Sequence, residues 1–259
     1  MGSSMDENRL HEMDPTGRFT NRASDYVRYR PTYPAAAIDA ILRGFADPSH
    51  LTAADIGAGT GISARLLAGR GLRVLAVEPN AAMREAADAH ERVQWRAGTA
   101  EATGLREASV DLVLCAQSFH WFRQLDAVAE FYRIVRDGGR IALMWNTRDR
   151  RDPLTCGFVE AIHSVNGEHP AEQREIESGV IEAEGQFDPP TLETFAHWQD
   201  LDCEGLIGRA ASASYVPREG EPFDILRNRL TALFTQFRDV RGLVRLMYVT
   251  KVYLASRRQ

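Results

Sequence analysis

One stretch carries most of the information about the fold: Leu51-Thr52-Ala53-Ala54-Asp55-Ile56-Gly57-Ala58-Gly59-Thr60-Gly61. The apolar run 51–56 predicts a short buried strand, and three alternate glycines end it. Glycine allows the backbone to turn tightly and to approach a neighbouring group closely. A helix over 63–70 is predicted next, because its apolar side chains share one helical face. A strand, a glycine turn and a helix in this order are typical of an α/β fold.

The same alternation continues along the chain. Further strands are predicted at 72–77, 93–97, 110–115 and 140–145, with helices between them at 80–90 and 121–135. Strands that are apolar on both faces and alternate with helices form a parallel sheet covered on both sides. Right-handed crossovers then make this sheet doubly wound.

Weaker patterns flank this core. A helix is predicted at 36–45, before the first strand. After Asn146 the sequence predicts helices near 153–165, 171–184 and 219–237 and strands at 194–203 and 246–254. Glycine and proline residues interrupt this second half, so its periodicity is weak.

The glycine turn and Glu78 together form a candidate ligand site. A helix N-terminus such as the one after Gly61 favours negative charge. The second strand ends in Val77-Glu78-Pro79-Asn80, and a carboxylate in that position can accept hydrogen bonds from both hydroxyls of a ribose. A tight turn that binds nothing is the alternative, but three alternate glycines after an acid exceed what a turn requires.

Five segments resemble, in order, the motifs of class I S-adenosylmethionine-dependent methyltransferases. They are Asp55–Gly61, Val77–Asn80 with Met83, Gly98–Glu101, Asp111–Gln117 and Gly138–Arg140. Within this superfamily the chain resembles the type 11, trans-aconitate-methyltransferase-like group through Tyr29-Arg30-Pro31-Thr32-Tyr33-Pro34 and Phe119-His120-Trp121-Phe122. The segments 212–215 and 248–253 fit the same group less specifically.

The resemblance implies a seven-stranded Rossmann-like sheet in the order 3-2-1-4-5-7-6 with an antiparallel strand near 245–255. It also implies a helical N-terminal lid and a helical insertion. We therefore expect four regions: a disordered or tag-derived leader at 1–18, the lid at 19–48, the cofactor-binding core at 49–149, and acceptor-pocket helices with the closing strands of the same domain at 150–259. The implied cofactor is S-adenosylmethionine, with S-adenosylhomocysteine as product.

The resemblance also implies the cofactor contacts. The glycines would line the methionine part, Glu78 the ribose, and neighbouring side chains the adenine. The expected cofactor-binding residues are Tyr26, Arg30, Asp55, Gly57, Gly59, Gly61, Glu78, Pro79, Met83, Thr99, Ala100, Glu101, Ala116 and Gln117. Position 99 often carries an aspartate in this family, and Thr99 would accept only a weaker, neutral hydrogen bond. Arg30 would pair with the methionine carboxylate and Tyr26 would close the pocket; the alternative is that the aromatic residues only hold the lid.

The acceptor is expected beyond the end of the fourth strand. His120 is the candidate catalytic residue, either as a general base or as a hydrogen-bond donor to the acceptor. The alternative is that His120 and Trp121 pack the start of the next helix. The further candidates for acceptor contact are Trp121, Asn146 and Tyr215. An acceptor atom that is already ionised requires no base.

Composition limits the classes of partner that the chain is expected to bind. The net charge is −5 with no dense Lys/Arg cluster, so nucleic-acid binding is not expected. The three cysteines are widely spaced and give neither a disulfide framework nor a zinc site, which favours a reducing, cytoplasmic compartment. No apolar run reaches the roughly 20 residues of a membrane span, and no metal is expected. A small-molecule acceptor is the expected partner, and the oligomeric state stays open.

Two other functions compete with methyl transfer. The cofactor motifs report binding rather than turnover, so a partner subunit or a non-methylating use of the same cofactor is one alternative. The remote one is a nicotinamide-dependent oxidoreductase, which would require the spacing Gly-x-Gly-x-x-Gly. Here the glycines are spaced Gly57-x-Gly59-x-Gly61, which fits a methyltransferase better.

Overall fold

The computed structural model describes residues 28–167, 179–183, 185–213 and 215–258. Its centre is a seven-stranded sheet. The strands are β1 (Thr52–Ile56), β2 (Arg73–Val77), β3 (Val93–Arg96), β4 (Val110–Ala116), β5 (Val135–Arg148), β6 (Thr191–Leu201) and β7 (Val244–Ser256). Their order is β3-β2-β1-β4-β5-β7-β6, and β7 runs antiparallel to both of its neighbours. The expected α/β fold and sheet order are thereby confirmed.

Helices cover the sheet and extend one end of it. They are α1 (Ala35–Leu42), α2 (Ile62–Ala68), α3 (Ala81–Glu85), α4 (Gln124–Ile134), α5 (Pro153–Asn166), α6 (Gly179–Glu182), α7 (Cys203–Ala211) and α8 (Glu221–Phe237). Two short 3₁₀ turns, Pro48–His50 and Phe119–Trp121, lie in the connections. Among the described residues, no helix combines the length and the apolar character that crossing a membrane requires.

Strand β4 shows why the sheet is buried on both faces. Val113 and Cys115 pack into one apolar cluster with Phe131 of α4. Leu112 and Leu114 point to the opposite face and pack with α1 and α2. A third cluster joins α5, α7 and α8 to the first half of β7. The strands are apolar on both faces because each face is covered by helices.

Several boundaries differ from the sequence-based expectation. Helix α3 ends at Glu85 rather than near residue 90, because only its first turn packs inward, through the buried Met83, and a short helix depends on such packing. Helix α4 begins at Gln124 after the 3₁₀ turn. Strand β5 begins at Val135, directly after α4, rather than at residue 140, and it continues to Arg148 because β7 pairs with it as far as that residue.

Helix α7 was not predicted at all, because Gly205 and Gly208 weaken the helical signal. Its N-terminus is capped by Asp202, whose carboxylate accepts a hydrogen bond from the Gly205 amide at 2.7 Å. Gly208 is required by packing, since a Cβ there would lie 2.5 Å from the Tyr29 ring. The helix is therefore the support for residue 29 of the N-terminal segment.

The described part of the N-terminal segment lies against the end of the sheet. Gln199 of β6 donates a hydrogen bond to the Tyr29 carbonyl at 3.1 Å, and Tyr33 is buried. The leader at 1–18, Tyr26 and most of the helix expected at 171–184 lie outside the described residues. A lid at 19–48 therefore stays a prediction, with residues 28–34 docked on β6 and α7 in this structure.

Candidate active site

The candidate site lies where the parallel strands end. The glycine loop 57–61 follows β1, Glu78 follows β2, and the segment 117–121 follows β4. In open α/β sheets, ligands bind beyond these carboxyl ends. The fold therefore gathers most of the expected site residues at one edge of the sheet.

The three loop glycines have left-handed backbones, with φ of +66° at Gly57, +57° at Gly59 and +77° at Gly61. A Cβ at Gly57 would lie 2.7 Å from the Ser118 Cβ, and one at Gly61 would lie 2.9 Å from the Trp95 ring. The first and third glycines therefore allow close packing against the protein itself. This packing fixes the path of the loop.

A methyl group at Gly57 should be far more harmful than one at Gly104. Both residues are left-handed, at +66° and +68°, but nothing lies within 4 Å of a Cβ at Gly104. Backbone strain of about 1–2 kcal/mol is common to both alanine variants, and overpacking adds about 1–3 kcal/mol at Gly57 alone. Urea unfolding of Gly57→Ala and Gly104→Ala measures the difference. Equal losses of unfolding free energy would show that Gly57 is not closely packed.

Glu78 is held in position by the backbone around it. Its side chain accepts hydrogen bonds from the Gly59 amide and from the Asn80 amide, each at 2.9 Å. Burial raises the pKa of Glu78, and these two amides oppose that effect. A carboxylate has about four acceptor positions, so two stay open for the hydroxyls of a ribose. Glu78 thus links the glycine loop to the end of β2.

Asp55 has a structural role that the sequence analysis did not include. It is fully buried, with 0% exposure, and it accepts a hydrogen bond from the Ser63 hydroxyl at 2.7 Å. That bond ties the end of β1 to the first turn of α2. In this structure the carboxyl group of Asp55 therefore positions the loop and the helix, and its contact with a cofactor stays a prediction. The sequence placed Asp55 near the loop but could not show that its side chain turns inward.

Burial raises the pKa of Asp55 to about 7, opposed by the Ser63 hydroxyl. The folded protein therefore retains this proton more tightly than the unfolded chain, so the contribution of Asp55 to stability falls as pH rises from about 4 to about 7. Asparagine does not titrate. The stability of Asp55→Asn relative to wild type should accordingly increase over this range, by up to about 4 kcal/mol.

Denaturant unfolding at several pH values measures this difference, and Asp224→Asn, on the exposed face of α8, is the matched control. A difference between Asp55→Asn and wild type that stays constant from pH 4 to pH 8 would contradict the assignment.

The residues expected around adenine differ in their exposure to solvent. Met83 and Ala100 are buried, Pro79 is half-buried and Thr99 is exposed. Glu101 accepts a hydrogen bond from the Arg123 amide at 2.8 Å, just before α4 begins. One carboxylate oxygen of Glu101 therefore fixes the start of α4, and its contact with a cofactor stays a prediction.

The turn after β4 is strained. Gln117 has φ of +57°, which is uncommon for any residue other than glycine. Its amide donates to the Met144 carbonyl at 2.9 Å, and its side-chain amide donates to the Asn146 carbonyl at 3.1 Å. Strain of this kind is concentrated at functional sites. The adjoining Ser118 hydroxyl donates to the Ile56 carbonyl at 2.8 Å and so joins this turn to the glycine loop.

No sequence pattern singles out Ser118. The side chain matters because its Cβ is the atom that Gly57 approaches, and a sequence shows no contact between two loops. Ala116, at the end of β4, is half-buried.

His120 follows this turn and is half-buried. Its ring centroid lies 4.9 Å from that of Trp121 and 6.3 Å from that of Trp145. The two indoles hold the imidazole on the 3₁₀ turn at the end of β4. This geometry is compatible with both interpretations of His120, as a group that meets the acceptor and as part of the aromatic packing.

Asn146 and Tyr215 both make contacts within the protein. Asn146 donates a hydrogen bond to the Thr32 carbonyl at 2.8 Å and accepts one from the Thr250 hydroxyl at 2.6 Å. Both polar ends of its side chain are therefore engaged in fixing the N-terminal segment to β5 and β7. Tyr215 packs against the cluster of α5, α7 and α8. Contact of either residue with an acceptor stays a prediction.

Arg30 lies against the end of α7. Its Nη2 donates a hydrogen bond to the Ser212 carbonyl at 3.3 Å. The guanidinium thus contacts the helix that supports Tyr29, whereas the expectation placed it at the methionine carboxylate. In this structure Arg30 therefore contacts a part of the chain that lies beyond residue 150.

Comparison with known proteins agrees with this geometry. Residues 54–143 match the family model described as a methyltransferase domain. A 150-residue region is 42% identical to an uncharacterized methyltransferase of Mycobacterium tuberculosis, and a 153-residue region is 35% identical to a methyltransferase-like protein of Schizosaccharomyces pombe. Each match covers 58% of this chain and only 58% of the relative's own length.

Solved structures show the same fold. A candidate type II methyltransferase from Anaeromyxobacter dehalogenans is 23% identical, with a TM-score of 0.62 over 88% of this chain and 98% of that one. A geranyl diphosphate methyltransferase solved with its diphosphate substrate and sinefungin is 17% identical, with a TM-score of 0.55 over 96% and 99%. At these identities the likeness is one of fold.

Residues 54–143 therefore match a methyltransferase-domain family model, and the sheet has the order expected of a class I methyltransferase fold. The cofactor S-adenosylmethionine stays an expectation. The comparisons end at this level, and membership of the trans-aconitate-methyltransferase-like group stays a prediction from the sequence.

Proposed function

We propose that this chain transfers a methyl group from S-adenosylmethionine to an oxygen, nitrogen or carbon atom of a small-molecule acceptor. One observation carries the proposal: within the matched domain, the Glu78 carboxylate accepts a hydrogen bond from the Gly59 amide at 2.9 Å. This bond holds the glycine loop against the end of β2. A loop and a carboxylate joined in this way fit a ligand with both a ribose and a charged tail.

The residues present fit that cofactor. Glu78 would hold the ribose hydroxyls with its open acceptor positions, and the buried side chains of Met83 and Ala100 would contribute apolar surface beside the adenine. Bound S-adenosylmethionine supplies an electrophilic methyl group. The protein then has to align the acceptor atom with it and exclude water, and alignment alone can account for a large part of a rate enhancement.

His120 is the proposed group on the acceptor side. It follows β4 and is held between Trp121 and Trp145. From there it can take a proton from an amine or hydroxyl acceptor, or donate a hydrogen bond to an acceptor that is already ionised. The cytoplasmic location and the absence of a nucleic-acid partner remain expectations from composition.

The test is a search for the methylated product. The purified protein is incubated with a small-molecule cell extract and methyl-labelled cofactor, and products that carry the label are identified by mass spectrometry. The proposal predicts a labelled small molecule that is not formed when Glu78→Ala replaces the wild type. Cofactor binding with no labelled product from any extract would favour the non-methylating alternative, and binding of a nicotinamide cofactor instead would favour the oxidoreductase.

A further inference from the structure

A row of polar side chains crosses β5, β7 and β6, the strands that carry none of the expected cofactor-binding residues. Tyr248 of β7 is directly opposite Arg148 of β5 on one side and His197 of β6 on the other. Directly opposite residues of antiparallel strands project from the same face. The rings of His197 and Tyr248 are 6.2 Å apart. One face of the sheet thus presents an arginine, a tyrosine and a histidine side by side.

Arg209 of α7 lies over this row. It is only 5% exposed, and it donates hydrogen bonds to the Tyr248 hydroxyl at 3.2 Å and to the Ser212 hydroxyl at 3.3 Å. Arg30 donates to the carbonyl of the same Ser212. Arg148, opposite Tyr248, lies over the Phe158 ring at 5.0 Å. Three guanidinium groups are therefore gathered around Tyr248 and Ser212.

In the part of the chain that the structure describes, no carboxylate pairs with the charge of Arg209. Within the described residues its side chain bonds only to hydroxyl groups, and the charged side chains that act on it are Arg30 and Arg148. Burial lowers the pKa of the Arg209 guanidinium; the neighbouring Tyr248 opposes this effect, and the positive Arg30 and Arg148 add to it. Arginine nevertheless keeps its proton in proteins, and buried charges are normally paired. Such a charge is stabilised when an anion binds to it.

His197 provides a second indication. It is buried, and among the described residues its Nε2 has no hydrogen-bond partner. The imidazole also interacts with the backbone of Thr32. A buried imidazole nitrogen without a partner, next to Tyr248 and Arg209, is a polar group that a bound ligand would satisfy.

The row faces the region where an acceptor has to lie. Arg148 is the last residue of β5, and His197 is near the end of β6, which runs parallel to β5. Both are at the sheet edge that carries the glycine loop. Strand β7 is two strands from β4, or about 10 Å at the usual strand spacing. That separation suits the two ends of one small molecule.

We propose that Arg209, together with Arg30 and Arg148, binds an anionic group of the methyl acceptor, either a carboxylate or a phosphate. The inference rests on the proposed function, since it assumes that an acceptor occupies this edge. The planar guanidinium matches both anions with two parallel hydrogen bonds, and His197 can donate a further one. The acceptor is therefore an organic acid or a phosphorylated metabolite rather than a neutral compound.

The experiment measures anion binding without methyl transfer. Protein saturated with S-adenosylhomocysteine is titrated with citrate, succinate, inorganic phosphate and pyrophosphate at constant ionic strength, by calorimetry and by thermal unfolding. At least one carboxylate or phosphate probe should bind and raise the melting temperature, and the probe that does so identifies the anion class. Arg209→Met should weaken its binding at least tenfold, while the affinity for S-adenosylhomocysteine changes less than twofold.

Arg229→Met, on the exposed face of α8, is the matched control for the loss of one positive charge, and it should bind the probe like wild type. Without an anion, Arg209→Met should melt no lower than wild type, because it removes a buried charge that lacks an opposite partner. If Arg209→Met does not fold, Arg209→Lys is the deciding variant. Lysine keeps the positive charge but lacks the planar guanidinium that forms two parallel hydrogen bonds. Binding of the probe should therefore again fall at least tenfold.

The proposal is overturned if no probe binds, if Arg209→Lys binds the probe like wild type, or if Arg209→Met melts lower than wild type without weakening anion binding. Failure of the proposed function is a different result. A protein that binds the anion through Arg209 but methylates nothing contradicts only methyl transfer, whereas methylation of a neutral acceptor by a protein that ignores every anion contradicts only the anion site.

Discussion

Replacing Glu78 with alanine should weaken the binding of S-adenosylmethionine and S-adenosylhomocysteine about ten- to a hundredfold. Hydrogen bonds to a charged group are worth about 1.5–3 kcal/mol, and the buried carboxylate is placed to receive the ribose hydroxyls. The variant also removes the acceptor of the hydrogen bond that the Gly59 amide donates at 2.9 Å. The glycine loop therefore loses a constraint at the same time as the proposed ligand contact is lost. Calorimetry with S-adenosylhomocysteine measures the dissociation constant.

Two controls separate a lost contact from a damaged fold. Glu85→Ala removes an exposed carboxylate at the end of α3 and should bind like wild type. Thermal unfolding should show that Glu78→Ala remains folded, because the carboxyl group that it removes is itself disfavoured by burial. An unchanged dissociation constant would exclude Glu78 from the ribose contact.

Replacing His120 with alanine should lower turnover about a hundredfold if the imidazole acts as a general base. His120 follows the strained turn at the end of β4, next to the glycine loop that would hold the methyl donor. The affinity for the cofactor should stay close to that of wild type, because none of the expected cofactor contacts is removed. Steady-state kinetics with the acceptor found in the labelling experiment measures this effect.

The kinetic pattern distinguishes the three roles of His120. A hydrogen bond that is equally strong in the bound acceptor and the transition state gives a higher KM with kcat unchanged. A packing residue gives a lower melting temperature, since the imidazole lies between two indoles. His50→Ala, which alters an exposed histidine far from β4 along the chain, should leave both kcat and KM unchanged. Wild-type kinetics together with a lowered melting temperature in His120→Ala would assign His120 to packing.

The central sheet could be predicted from the sequence because its signals are local. Each strand is a short apolar run followed by glycine or by a helix with one apolar face, as at 51–70. Such signals depend only on neighbours along the chain. The order of the strands came from the resemblance to a family, since no local pattern specifies which strands pair.

The elements that were missed depend on distant partners. Helix α7 contains two glycines and would be weak alone, and the N-cap at Asp202 and the Tyr29 ring on Gly208 support it. The length of β5 is set by β7, which lies about a hundred residues later in the chain. A reader of the sequence sees neither contact.

Side-chain direction explains the differences within the site. Asp55 and Glu78 are both acids at the carboxyl ends of neighbouring strands, yet Asp55 turns inward to Ser63 whereas Glu78 turns toward the glycine loop. Asn146 has a polar side chain that could contact a ligand, but its amide group forms hydrogen bonds with Thr32 and Thr250. Arg209 gave no signal, because its significance comes from burial and from side chains far away in the sequence. Residue type locates candidates, and only the packing shows which of them a ligand can reach.

The most direct test of the central claim is calorimetric titration of the wild-type protein with S-adenosylhomocysteine. Binding at one site per chain with a dissociation constant in the micromolar range, about −8 kcal/mol, is the predicted result. The same titration with Glu78→Ala should show the ten- to hundredfold weaker binding described above. No detectable binding by the wild-type protein at roughly millimolar ligand would contradict the assignment of the glycine loop and Glu78 as a cofactor site.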